Sequence, residues 1–98
     1  MAEENGSRVI RLAFDPNARE PFLQRLRTEL QKASVDEVTI QMEQVSYVGP
    51  GALEMLQAAG ETAHSAGKII VLEGVHPGVY KALQLTNLAA LFKRAHHG

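Results

Sequence analysis

The chain has 98 residues, with ten Lys or Arg and eleven Asp or Glu, a formal charge of -1 and no cysteine. That length fits one domain with one modest core. A charge near zero excludes broad electrostatic capture of nucleic acid or an anionic membrane. The missing thiols exclude a disulfide scaffold, a thiolate metal site and a cysteine nucleophile.

Residues 1–7 read as a short acidic tail without the apolar stretch of a signal peptide. Residues 8–98 read as a single domain. Its apolar runs are only a few residues long, too short to span a bilayer, so a cytoplasmic protein without membrane insertion is expected. Arg8–Phe14 alternates as a strand, with Ile10, Leu12 and Phe14 on one face. Asp15-Pro16-Asn17 is a turn, and Asn17 is placed to cap a helix running to about Ala33. Its apolar stripe is Phe22, Leu23, Leu26, Leu30 and Ala33. Pro21 is tolerated because it falls in the first turn.

Glu37–Met42 is a second strand, with Val38, Ile40 and Met42 on one side. Val45, Tyr47 and Val48 form a short apolar stretch that ends at Gly49. A helix over about Pro50–Ala66 would bury Leu53, Leu56, Ala59 and Ala63, with Ala52 and Gly60 at the edges. Gly67 then stands where a helix-ending glycine is expected. Lys68–Glu73 is the third strand. Its unbroken run Ile69–Leu72 predicts burial on both faces. A helix over Val79–Leu85 and a last helical segment over Leu88–Arg94 follow, and 95–98 read as a loose end.

Strands alternating with helices predict an α/β fold: a small, mostly parallel or mixed sheet with right-handed crossover helices. Functional loops of such sheets lie at the carboxyl ends of the strands. Here these are Asp15–Asn17, Val48–Ala52 and Gly74–Gly78. They hold few reactive groups. His76 is the one histidine well placed for a site, whereas His64 lies near a helix end and His96 and His97 near the chain end. The carboxylates make no evident pair, and Asp15 alone ends a strand at the functional edge. Gly49-Pro50-Gly51 opens a helix, but Pro50 removes a donor that a phosphate cradle needs, and no phosphate-loop signature is present. No metal site, no cofactor and no catalytic set is therefore expected. A nucleotide-handling enzyme using the Gly49 loop with Asp15 or His76 is the weaker alternative.

The motifs resemble the STAS domain, the fold of bacterial anti-sigma factor antagonists. Gln41–Leu56 follows the family's strand–loop–helix motif. Gly67–Phe92 follows its later stretch, in which a strand, Pro77, Leu85-Thr86 and Leu91-Phe92 recur in order. Phe14-Asp15 is similar to the corner that holds the family's acid. The resemblance implies the STAS (SpoIIAA-like) fold. It also implies a non-enzymatic role in signal transduction and transcription regulation through protein–protein interaction. In switchable members a serine at the start of the second helix is phosphorylated. Here Gly49-Pro50-Gly51-Ala52 stands at that motif, without a hydroxyl, and Gly51 occupies the switch position. The family's usual first strand is missing as well, which would leave a sheet edge open.

The resemblance thus implies a docking face of Asp15, Gly49, Pro50, Gly51, Ala52, Leu53, His76, Pro77 and Tyr80. Its partner would be an anti-sigma factor of the GHKL kinase type or a related signalling protein, with no phospho-switch at Gly51. A similar stretch also occurs in STAS accessory subunits of phospholipid-transport ABC complexes, which bind the ATPase subunit. A weak homodimer is the one self-association expected.

Overall fold

The computed structural model describes residues 9–94. Three five-residue strands, β1 (Val9–Ala13), β2 (Glu37–Gln41) and β3 (Ile69–Glu73), alternate with helices α1 (Arg19–Leu30), α2 (Pro50–Ser65) and α3 (Pro77–Leu85). A 3-10 turn (Ala89–Leu91) leads to a two-residue strand, β4 (Lys93–Arg94). The strands lie side by side in sequence order, β1-β2-β3-β4, and every pair is parallel. The expected α/β sheet is therefore present in its purely parallel form.

The register explains the core. Ile10, Val38 and Ile70 stand in one row, and Leu12, Ile40 and Leu72 in the next. Leu12, Val38, Ile40, Ile70 and Leu72 are buried. The alternate residues form the other face, in rows Val9–Glu37–Ile69, Arg11–Thr39–Val71 and Ala13–Gln41–Glu73. Right-handed crossovers between strands laid down in one direction put all the helices on one side. The second face is consequently uncovered by any described helix. Ile69 is 39% exposed and Val71 half-buried, so the two-sided burial expected of Ile69–Leu72 does not hold. An unbroken apolar run satisfies both patterns, because alternation alone separates them.

Three helix expectations also shift. α1 begins at Arg19, not Asn17; its N-cap is Ala18, which makes no side-chain cap. The Asn17 N–H is instead donated to Asp15 Oδ1 at 3.0 Å. α1 ends at Leu30, leaving Ala33 exposed and Val35 buried in its place. In α2, Leu56, Ala59 and Ala63 are buried as expected and are joined by Met55 and the edge residues Ala52 and Gly60, whereas Leu53 is only half-buried. The segment Leu88–Arg94 is not a helix. Asn87 takes φ 62° and ends α3, with Leu88 N–H donated to the Leu83 carbonyl at 2.8 Å. One 3-10 turn follows before the chain extends along β3.

Gly67 ends α2 as expected, with φ +72°. Lys68 N–H reaches the Ala63 carbonyl at 2.9 Å and Gly67 N–H reaches that of His64 at 3.1 Å, the paired bonds of a Schellman end. The Lys68 ammonium meanwhile donates to the Lys32 carbonyl at 2.9 Å and to the Val35 carbonyl. It thereby holds the turn between α1 and β2 to the start of β3.

Candidate functional site

A parallel sheet brings the loops after β1, β2 and β3 to one end. The loop after β2 is the middle one, and it touches both neighbours. On the β1 side, Gln44–Tyr47 and Ala13–Asn17 line a depression of about 480 Å³. On the β3 side, the Glu43 carbonyl accepts a hydrogen bond from His76 Nε2 at 3.0 Å. Glu43 also covers Gly74: a Cβ added there would lie 2.4 Å from Glu43 Cγ, and Gly74 has φ +70°. Glycine adopts this backbone conformation without a steric cost, and the Glu43 side chain fills the space a Cβ would take.

Asp15 is exposed and works as a turn former, since its side chain accepts Asn17 N–H and its carbonyl accepts Ala18 N–H at 3.1 Å. Gly49 is the N-cap of α2 and Pro50 its first residue. No side chain caps this helix start, and no acid lies in its first turn. Pro50 and Gly51 are exposed, Leu53 is half-buried, and Ala52 is 8% exposed and packs into the core. Ala52 is therefore not part of any accessible face.

His76 precedes α3 as its N-cap without making a side-chain cap. Pro77 is exposed at the start of that helix, and Tyr80 is half-buried one turn on. Pro50 and Leu53, however, share a cleft of about 230 Å³ with Thr86 and Leu88, at the opposite end of α3. Nine helical residues separate these ends by about 13 Å. Of the nine expected residues, Gly49, Pro50, Gly51 and Leu53 thus lie at the α2 start and His76, Pro77 and Tyr80 at the α3 start, while Asp15 lines the depression beside β1 and Ala52 is buried.

Two exposed apolar side chains lie outside the residues singled out in the sequence, and one of them, Tyr47, stands beside the α2 start. Tyr47 is 78% exposed, and its ring stands 3.6 Å from where a Gly49 Cβ would be. Leu85, adjoining Thr86, is 76% exposed. In the sequence Tyr47 belongs to the Val45–Val48 stretch. Both valines are buried, and the aromatic between them faces out.

Reactive chemistry is sparse. Among the described residues no group of three or more His, Asp or Glu could hold a metal ion. No described helix is long and apolar enough to cross a membrane. What the α2 start presents is a helix N-terminus without a side-chain cap, beside a mixed cleft that also holds Glu54, Gln57 and Thr86, with no hydroxyl from Gly49 to Ala52.

The family model described as "Mlab, STAS domain" matches residues 3–93. The chain belongs to the STAS domain family. Its fold is shared with solved STAS structures. An anti-sigma-factor antagonist (STAS) domain protein from Planctomyces limnophilus is 19% identical, with a TM-score of 0.65 over 90% of this chain and 82% of that one. The protein TM1081 is 18% identical, with a TM-score of 0.73 over 89% and 73%. The anti-sigma factor antagonist SpoIIAA in its unphosphorylated form is 20% identical, with a TM-score of 0.66 over 91% and 79%. No curated protein matches the chain by sequence. This STAS chain resembles anti-sigma factor antagonists in fold.

Proposed function

We propose that this STAS domain is a non-enzymatic protein-binding module that docks its partner through the start of α2. The observation that carries this reading is the surface there: exposed Pro50 on the Leu53–Leu88 cleft, with the exposed Tyr47 ring beside Gly49. Exposed aromatic and aliphatic groups beside a shallow cleft suit a protein anchor. With Gly51 in the switch position, this surface keeps an uncharged helix start. A phosphate there would add charge and acceptor oxygens; no hydroxyl between Gly49 and Ala52 can carry one. Binding is therefore constitutive at this site. The partner is an anti-sigma kinase or a related signalling protein.

A second reading has its own support. The matching family model bears the Mlab description, not an anti-sigma one. On that reading the same surface packs on the ATPase subunit of a phospholipid-transport ABC complex. The test for docking is Gly51→Asp, because a Cβ at Gly51 meets nothing within 4 Å and the variant leaves the core untouched. Which purified candidate binds, kinase or ATPase subunit, separates the two readings.

A further inference from the structure

The two outer strands of the sheet differ. β4 is two residues long and both are basic, Lys93 and Arg94. Short, charged strands guard an edge against further pairing. β1 has five residues, carries neither Pro nor Lys, and pairs on its outer side with no other described strand. Phe14 N–H is donated to the Gln41 carbonyl at 3.0 Å, so Leu12 and Ile10, at even steps from Phe14, also direct their peptide groups to β2. The N–H and carbonyl groups of Arg11 and Ala13 consequently face outward. Between this stretch and α1 runs an open cleft of about 370 Å³ with Leu12, Pro21 and Phe22 in its wall.

The one charge on β1 leaves this edge unguarded. Arg11 Nε lies 3.7 Å from Oε1 of Glu73 on β3, so the side chain reaches inward over β2 on the sheet face that no described helix covers. Thr39, which stands between β1 and β3 on that face, is buried. Unpaired peptide groups without a charged side chain in front of them are a template for another strand. The formal charge of -1 adds little long-range repulsion between copies of the chain.

Two copies related by a two-fold axis would join these edges as antiparallel strands. An axis through Arg11 sets two arginines directly opposite, which is unfavourable. An axis through Ala13 needs the peptide group of Asp15, whose carbonyl is already turned to Ala18 N–H at 3.1 Å. An axis through Ile10 leaves Ala13 opposite no residue of β1. An axis through Leu12 sets Arg11 opposite Ala13 of the second copy. Each of the two Arg11–Ala13 pairs then exchanges two hydrogen bonds, and Leu12 meets its own counterpart beside the cleft.

We propose that the β1 edge is a self-association surface on which a second copy of this chain pairs its own β1 antiparallel, with Leu12 on the two-fold axis. The pairing joins two four-stranded sheets into one continuous sheet and satisfies the outward peptide groups of Arg11 and Ala13. This surface is separate from the α2 start, so the proposal does not depend on the docking reading above.

The test is sedimentation equilibrium of the full chain between about 10 µM and about 1 mM, where a contact smaller than a standard interface should associate reversibly. Amide exchange is followed over the same range. The expected result is a rise in mass towards the dimer, with exchange slowing at Arg11 and Ala13 and unchanged at Gly51 and Leu53. Ala13 is exposed, so its substitution leaves the core alone. A13K sets an ammonium opposite Arg11 of the second copy and should weaken association about tenfold or more. A13E sets a carboxylate there and should keep or strengthen association. Both variants should keep the thermal midpoint of the dilute native chain. A chain that stays monomeric throughout would overturn the proposal, as would a dimer with unchanged exchange at Arg11 and Ala13. Equal association of A13K and A13E would overturn the pairing with Leu12 on the axis. Slow exchange at Arg11 and Ala13 already in the dilute monomer would also overturn the proposal, by naming a segment of the same chain as the occupant.

Discussion

His76 Nε2 stands 3.0 Å from the Glu43 carbonyl oxygen. Because a carbonyl only accepts, the imidazole must hold its proton on Nε2. The loop histidine that looked like a candidate for chemistry is thus a strut between the β2 and β3 loops. His76→Ala should loosen this contact and cost about 0.5–1.5 kcal/mol in urea unfolding, while leaving partner affinity at the α2 start unchanged. Equal loss of affinity and stability would return His76 to the docking surface.

Gly74 is fixed twice, by φ +70° and by Glu43 lying over it. Gly74→Ala should lower stability by about 1–2 kcal/mol from the backbone alone. Glu43 can swing aside, since the nearest atoms belong to its side chain. Adding Glu43→Ala should then recover only a small part of the loss. Full recovery would locate the strain in the side chain and not in the backbone.

Gly60 lies inside α2, where alanine ordinarily stabilises a helix by about 1 kcal/mol. Here a Cβ would meet Leu91 Cβ at 2.8 Å and Leu91 Cδ1 at 2.9 Å. Leu91 Cβ is attached directly to the backbone of the 3-10 turn, so the turn itself must retreat. Gly60→Ala should therefore destabilise the fold by about 1–3 kcal/mol and weaken the β3–β4 pairing. Amide exchange at Leu72 reports that pairing, whereas the Val71 amide, like that of Ile69, faces β2 and serves as the control; a stabilised variant would contradict the packing argument.

Lys68 is half-buried and ties two segments together. Its ammonium serves the carbonyls of Lys32 and Val35, next to the end of α1. Lys68→Met keeps the stem and removes the donors. The expected cost is about 1.5–3 kcal/mol, measured by denaturant unfolding. Salt should change the wild-type value little, because carbonyl oxygens carry no net charge.

The sequence carried the β1-to-α3 order because each element repeats its apolar residues at the right period. Ile10-Leu12-Phe14 and Val38-Ile40-Met42 alternate, and Phe22-Leu23-Leu26-Leu30 follows a helical stripe. The end of the chain was not legible. Leu88, Leu91 and Phe92 satisfy helical spacing, yet one 3-10 turn uses the same spacing, and two-residue β4 is too short to show a period. The sheet face that no described helix covers was hidden by the apolar run of β3. Site residues were legible as loop positions but not as a grouping. Contacts across chain, such as Glu43 with His76 or Leu53 with Leu88, have no local pattern. Ala52 reads as a loop-end position at the docking face, yet it lies one turn before Met55 and Leu56 and is buried with them.

Leu53→Asp tests docking less cleanly than a substitution at an exposed position would. Leu53 packs against the core as well as lining the cleft, so the variant should lose both binding and stability. A variant that lost binding at full stability would assign Leu53 to the interface alone.

Gly51→Asp separates the two quantities most directly. Gly51 is exposed at the second position of α2, and its Cβ would meet nothing within 4 Å. An acid in the first turn favours the helix dipole by about 0.3–1 kcal/mol, so the variant should be at least as stable as the native chain. The decisive measurement is calorimetric titration of native and Gly51→Asp chains with the anti-sigma kinase or ABC ATPase subunit that binds the native one. The account predicts a loss of affinity of about tenfold or more without loss of stability. Native-like affinity in Gly51→Asp would contradict docking through the start of α2.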